Sequence, residues 1–128
     1  MGKIIPDAVL DIFLAGIADQ CTKVTICSTQ PTTYAEGNAT YALADVTVTA
    51  GAGNGDFTIG NGDTNGRKLT LAQQTGITVD SNGTAQHIAL LDVAGSELLA
   101  VTTCTSQVLS AGNSVIINAF DIEIADAT

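Results

Sequence analysis

The sequence has no tryptophan, two prolines, one histidine and few cationic residues, and these scarcities exclude several functions. The only cations are Lys3, Lys23, Arg67 and Lys68, against thirteen acidic residues, so the formal net charge is −9. A chain without a basic surface does not bind phosphate backbones, and we predict no nucleic-acid partner. Its most apolar run, residues 8–18, is too short to cross a bilayer and contains an aspartate, so we predict no membrane partner.

Cysteine is also scarce, with Cys21, Cys27 and Cys104 as the only three. An odd number cannot pair completely within one chain, and no C-x-x-C spacing is present. One histidine cannot complete a zinc ligand set with them, so we predict no metal and no cofactor. We favour buried free thiols that pack as small hydrophobic side chains. An interchain disulfide in an assembly is the alternative.

The sequence contains no P-loop, no dinucleotide fingerprint and no nucleophile elbow. His87 has no serine or cysteine partner in a motif, so we interpret it as a packed or hydrogen-bonded strand residue. Asp121 and Glu123 have the same strand parity and no neighbour that would separate their pKa values, which is typical of a solvated face. We therefore predict no catalytic residue, no cofactor-binding residue and no enzymatic activity.

Glycine and asparagine are abundant in one stretch, GAGNGDFTIGNGDTNGRK, which contains GNGD twice. Asn61, Asp63 and Asn65 alternate before Gly66, as oxygen ligands do in the first half of a calcium loop. The closing ligand would fall on Ala72, which has no side-chain oxygen. We therefore favour two turns on either side of a short DFTI strand. A calcium-dependent binding module that uses Asp56 and Asp63 remains an alternative.

The segment PDAVLDIFLAGIADQ predicts a helix over about residues 6–20. A proline in the first turn and an acidic residue beside it favour its N-terminus. One face is apolar at helical spacing; its members are Leu10, Phe13, Leu14, Ile17 and Cys21. Val9 and Ile12 widen the apolar arc, so the helix either closes one end of the domain or contacts a neighbouring subunit.

From about residue 22 onward, short alternating segments separated by turns predict strands. Gly76 indicates a bulge or break, and Asn82-Gly83 suits a hairpin. The apolar parity switches near Asn118-Ala119, which predicts a bulge or a crossing between sheets. We predict a mainly β protein, an antiparallel β-sandwich with one short N-terminal helix, as a single domain over residues 1–128.

Two parts of the chain resemble a group of small tailed-bacteriophage virion structural proteins. The first is PDAVLDIFLAGI running into KVTICS, and the second is GTAQHIALLD followed by ELLAVTTCTSQVLSAGNSVIINAFDIEI. Residues 31–67 match least. The resemblance implies a structural role in the virion, and it assigns no functional residue.

Proteins of this group include shell components and tail-associated components. An acidic, compact chain without long repeats favours a decoration or cement protein on the capsid exterior. Its expected partners are the major capsid protein and further copies of itself, as a trimer. The alternative is a tail or tail-fibre-associated protein. The residues that we predict at the interfaces, from their apolar excess, are Ile4, Ile5, Val9, Ile12, Phe57 and Ile59.

Overall fold

A computed structural model describes residues 4–126. The protein is mainly β, with antiparallel sheets and one short α-helix at its N-terminus, which confirms the predicted class and is consistent with a β-sandwich-like fold. The elements are α1 (Asp7–Gln20), β1 (Lys23–Cys27), a π-helical turn (Glu36–Thr40), β2 (Ala42–Thr47), β3 (Phe57–Asn61), β4 (Arg67–Leu71), β5 (Gln74–Thr78), β6 (Gly83–Asp92), β7 (Glu97–Leu109), β8 (Ser114–Ile117) and β9 (Phe120–Ile124).

These elements form two compact units, whose segments alternate along the chain. Within the described residues, unit 1 comprises residues 4–20, 49–73 and 118–126, and unit 2 comprises 21–48 and 74–117. No single point in the sequence separates the two units. The single domain expected over residues 1–128 stays a prediction.

Unit 1 contains α1 and a three-stranded antiparallel sheet in the order β3-β4-β9. β3 and β4 form a hairpin in which Phe57 is opposite Leu71 and Ile59 is opposite Leu69. β4 also pairs with β9, where Leu71 is opposite Phe120. Phe57, Leu69 and Leu71 are buried, because alternation along these strands places them on one side of the sheet.

Unit 2 contains a four-stranded antiparallel sheet in the order β2-β1-β6-β7, and a separate β5-β8 pair. Four consecutive residues of the central strand β1, Val24 to Cys27, are buried, so both faces of that strand are covered. β7 has thirteen residues and is an outer strand of its sheet. Its register against β6 shifts twice, which marks two bulges.

A π-helical turn covers one face of β1. Three side chains at alternate positions of β1 bond to it. The Thr25 hydroxyl donates to the Gly37 carbonyl at 2.8 Å, and the Cys27 thiol points to the same oxygen at 3.7 Å. Lys23 Nζ donates to Asn38 Oδ1 at 3.0 Å. Alternation therefore explains how one strand holds the turn in place.

Of the local predictions for the second half of the chain, the bulge or break at Gly76 and the bulge or crossing near Asn118-Ala119 are confirmed. The register of β5 shifts between Gln74 and Ile77, as the glycine there predicted. At the parity switch the chain leaves β8, which pairs with β5, and enters β9, which pairs with β4, so it crosses between sheets.

The prediction of a hairpin at Asn82-Gly83 is wrong. The preceding strand β5 pairs with β8 and not with β6, so this turn connects strands that are not neighbours. Gly83 fits here because of close packing, since a Cβ on it would lie 2.7 Å from Leu43 Cδ2.

Candidate protein-binding surface

One face of α1 fixes the helix within unit 1. Leu10, Leu14 and Ala18 are buried at intervals of four residues, and the helix packs against β3 and β4. Asp11 accepts two hydrogen bonds from Arg67 of β4, from Nε at 2.7 Å and from Nη2 at 3.2 Å. A carboxylate whose two oxygens accept hydrogen bonds from two nitrogens along one edge of a guanidinium fixes orientation as well as distance. The rotation of α1 about its axis is therefore set by packing and by an ion pair.

This anchoring leaves the opposite face of the helix exposed. Val9, Ile12, Phe13 and Gly16 follow one another at the spacing i, i+3, i+4, i+7, which places them on one continuous face. Ile12 is 69% exposed and Phe13 is 61% exposed. Nothing lies within 4 Å of where a Cβ on Gly16 would be, so the face is open at this position.

Ile4 and Ile5, which precede α1 in the chain, are also exposed. We call this surface the helix patch, and it consists of Ile4, Ile5, Val9, Ile12 and Phe13. Single exposed apolar side chains are common on protein surfaces. A contiguous group on one helix face is less common and indicates a binding surface.

Four of the six predicted interface residues belong to the helix patch, and the other two lie on β3. Phe57 is fully buried, so it is a core residue and its side chain cannot reach a partner while unit 1 is folded. Ile59 is half-buried. Phe13 was expected on the buried face and is exposed instead. Leu10 and Leu14 of the same predicted face are buried, so spacing identified the buried side but misplaced Phe13 at its edge.

All three cationic side chains of the described residues take part in ion pairs. Arg67 pairs with Asp11, as described above, and Lys23 lies 3.9 Å from Asp45. Lys68 Nζ lies 2.7 Å from Asp63 and 3.1 Å from Asp121. The cations are thus engaged by carboxylates, and the acidic residues in excess account for the net negative charge of the chain.

One GNGD copy, residues 53–56, precedes β3, and the other, residues 60–63, begins within the end of β3; their aspartates bond within the chain. Asp56 Oδ2 accepts a hydrogen bond from the Thr49 amide at 2.6 Å. Asp63 binds the ammonium of Lys68, and its amide donates to Glu123 Oε1 at 2.8 Å. Turn chemistry accounts for these contacts. Over residues 4–126 no group of three or more His, Cys, Asp or Glu side chains is placed to hold a metal ion.

Asp121 and Glu123, predicted to form a solvated face, are both exposed. The Thr70 hydroxyl donates to Asp121 Oδ1 at 2.7 Å, and Lys68 binds its other oxygen. The Thr70 hydrogen bond, with a further contribution from Lys68, holds the pKa of Asp121 below its usual range. These contacts orient the carboxylate on the sheet surface.

The three cysteines are free and differ in accessibility. Cys21 and Cys27 are fully buried. Burial raises the pKa of the Cys21 thiol to about 11 and also raises the pKa of Cys27. Neither sulfur can reach a second subunit while the protein is folded. Cys104, half-buried on β7, is the one cysteine that an interchain disulfide could use.

His87 is half-buried on β6, opposite Cys27 of β1 on one side and Thr103 of β7 on the other. Its Nδ1 atom is buried and has no hydrogen-bond partner among the described residues. The imidazole is therefore packed in the sheet, which is one of the two interpretations given from the sequence.

A search with this chain finds no matching family model and no significant match among curated proteins or solved structures. Among the helices of residues 4–126, none has the length and apolar character to span a membrane.

Proposed function

We propose that this chain is a non-enzymatic virion structural protein, a decoration or cement protein that binds the outer surface of a bacteriophage capsid. The observation that carries the proposal is the helix patch. A surface helix held rigidly on one side and apolar on the other offers a preformed contact for another protein.

The energy available from this patch is appreciable. Burying a whole Ile or Phe side chain contributes about 1.5–3 kcal/mol. Because Ile12 and Phe13 are each exposed by more than half, covering both would contribute about 2–4 kcal/mol. That corresponds to roughly a 30- to 1,000-fold change in Kd. A stable interface also needs about 1,000 Å² of buried surface, so neighbouring residues must contribute to the contact.

Charge also supports a position on the capsid exterior. A chain with a net charge of −9 is repelled by packaged nucleic acid, whereas a capsid exterior separates the two. The major capsid protein is the proposed partner, and the trimer expected for a cement protein stays a prediction.

The first measurement is the copy number of this protein in purified particles, by quantitative mass spectrometry against the major capsid protein. A simple ratio near one-to-one, or a simple fraction of it, is the expected result for a protein that covers the shell. A few copies per particle would instead place it in the tail, and absence from particles would refute a virion role.

The helix patch is tested by the double variant Ile12→Ser, Phe13→Ser, added to particles that lack the native protein. We expect it to fold normally and to bind much more weakly than the wild type. The matched control is Ile116→Ser, which removes an isoleucine that is 55% exposed in unit 2. Retained binding of the double variant would exclude the helix patch from the contact.

A further inference from the structure

The outer edge of β7 is unpaired along the whole strand. Among residues 4–126, β7 pairs with β6 alone. A strand at the edge of a sheet presents backbone N–H and C=O groups that are free to bond with another strand. At 3.2–3.4 Å per residue, thirteen residues extend for roughly 40 Å.

β7 lacks two common sequence features that prevent edge strands from pairing. It contains no lysine and no proline, and its only charged residue is Glu97, at its first position. The outer strand β9 of unit 1, by contrast, carries Asp121 and Glu123. Every residue from Leu98 to Phe120 is uncharged, so all seventeen charged residues (four cationic and thirteen acidic) lie elsewhere.

This charge distribution favours a second copy of the chain as the occupant. Two copies with a net charge of −9 repel each other across most of their surfaces, and this repulsion is weakest where an uncharged strand faces its equivalent. In an antiparallel pair related by a two-fold axis, the two Glu97 side chains lie at opposite ends of the paired segment. Their separation then far exceeds the Debye length of about 8 Å.

We propose that two copies of this chain associate through antiparallel pairing of their β7 strands, which joins two four-stranded sheets into one. The bulges bend β7 on either side of Ala100–Thr103, so the contact is centred on this regular run. The dimer forms in solution without a capsid, and the proposal is therefore independent of the function proposed above. It differs from the expected trimer, because β7 pairing across a two-fold axis ends at two copies.

The test is the molar mass of the purified chain in solution, by light scattering across a concentration series. We expect twice 12.9 kDa for the wild type at high concentration. Thr103 is exposed on β7, and with the two-fold axis at Thr102 its two copies lie on the same face, two residues apart along the strands, so like charges there are less than a Debye length apart along the strand direction. Thr103→Lys and Thr103→Glu should each be monomeric, and an equimolar mixture of the two should again form dimers.

The matched control is Thr58→Lys, which adds the same charge to an exposed position of β3 and should remain dimeric. A wild type that is monomeric throughout, or of any order other than two, would overturn the proposal. So would dimeric Thr103→Lys, or a mixture that stays monomeric. If a Thr103 variant does not fold, β7 pairing is tested instead by crosslinking the wild type with a short bis-maleimide. It should link two Cys104 thiols into a dimer that Cys104→Ser cannot form, and absence of this band would contradict β7 pairing.

Discussion

Two glycines in unit 1 provide a quantitative test of the fold, because they have similar φ angles but different surroundings. Gly66 lies in the turn that joins β3 to β4, and Gly53 lies before β3. Gly66 has φ +73° and Gly53 has φ +85°. An alanine at either position must adopt a left-handed conformation, which costs about 1–2 kcal/mol. Nothing lies within 4 Å of a Cβ on Gly53, so Gly53→Ala should cost only this amount.

Gly66→Ala carries a second cost. A Cβ at this position would overlap the carbonyl oxygen of Ile124 and lie 2.8 Å from the Cα of Ala125. Both are backbone atoms at the end of β9, so rotation of a side chain cannot relieve the overlap. Forcing extra volume into a packed site costs about 1–3 kcal/mol, and the total for Gly66→Ala is therefore about 2–5 kcal/mol.

Urea unfolding of both variants and the wild type measures the difference. With an m-value of about 1–3 kcal/mol per molar urea, Gly66→Ala should lower the midpoint clearly more than Gly53→Ala. Equal midpoints for the two variants would refute the close approach of the turn to the end of β9. An unchanged midpoint for Gly53→Ala would refute the left-handed conformation at that position.

Three further predictions concern α1, the cysteines and Asp121. Gly16→Ala should raise the free energy of unfolding by about 0.5–1 kcal/mol, because alanine favours the helix and its methyl group meets open space; a lower Tm would contradict this. In native protein a maleimide should label Cys104 alone, whereas all three thiols should react in denaturant; rapid native labelling of Cys21 would contradict its burial. The lowered pKa of Asp121 stabilises the fold above the pKa of an unfolded aspartate, near 4, and this contribution is lost as pH falls through the folded pKa. Asp121→Asn should therefore melt below the wild type at pH 7, and the two melting temperatures should converge toward pH 2; a constant difference would contradict the linkage.

How far the sequence predicted the fold can be seen in α1 and the strands around it. Helical spacing located the helix over residues 6–20, and the structure gives Asp7–Gln20. Spacing correctly grouped Leu10 and Leu14, which are buried, but it placed the exposed Phe13 with them. The rotation of the helix also depends on the ion pair between Asp11 and Arg67, which are fifty-six residues apart in sequence. Pairs at such separation are not visible in a local pattern.

Long-range pairing, which a local sequence pattern does not show, also explains the remaining differences between the predictions and the structure. The bulge near Gly76 and the crossing before Phe120 depend on local backbone and parity, and the sequence predicted both. The prediction of a hairpin at Asn82-Gly83 was wrong because turn residues indicate that the chain reverses direction. They do not indicate which strand the following segment pairs with. Phe57 was predicted at an interface from its apolar excess, yet its pairing opposite Leu71 buries it.

The two proposed contacts differ in chemistry and lie in different units. The helix patch in unit 1 offers side chains, and a partner must match their shape to gain from burying them. The β7 edge in unit 2 offers backbone groups, which bond to any strand of suitable register. A cement protein must hold at least two neighbours at once, so the residues that bind the shell cannot be the same residues that bind a sister copy. No residue belongs to both surfaces, so the loss of one contact by substitution need not remove a side chain of the other, and the two proposals can be tested separately.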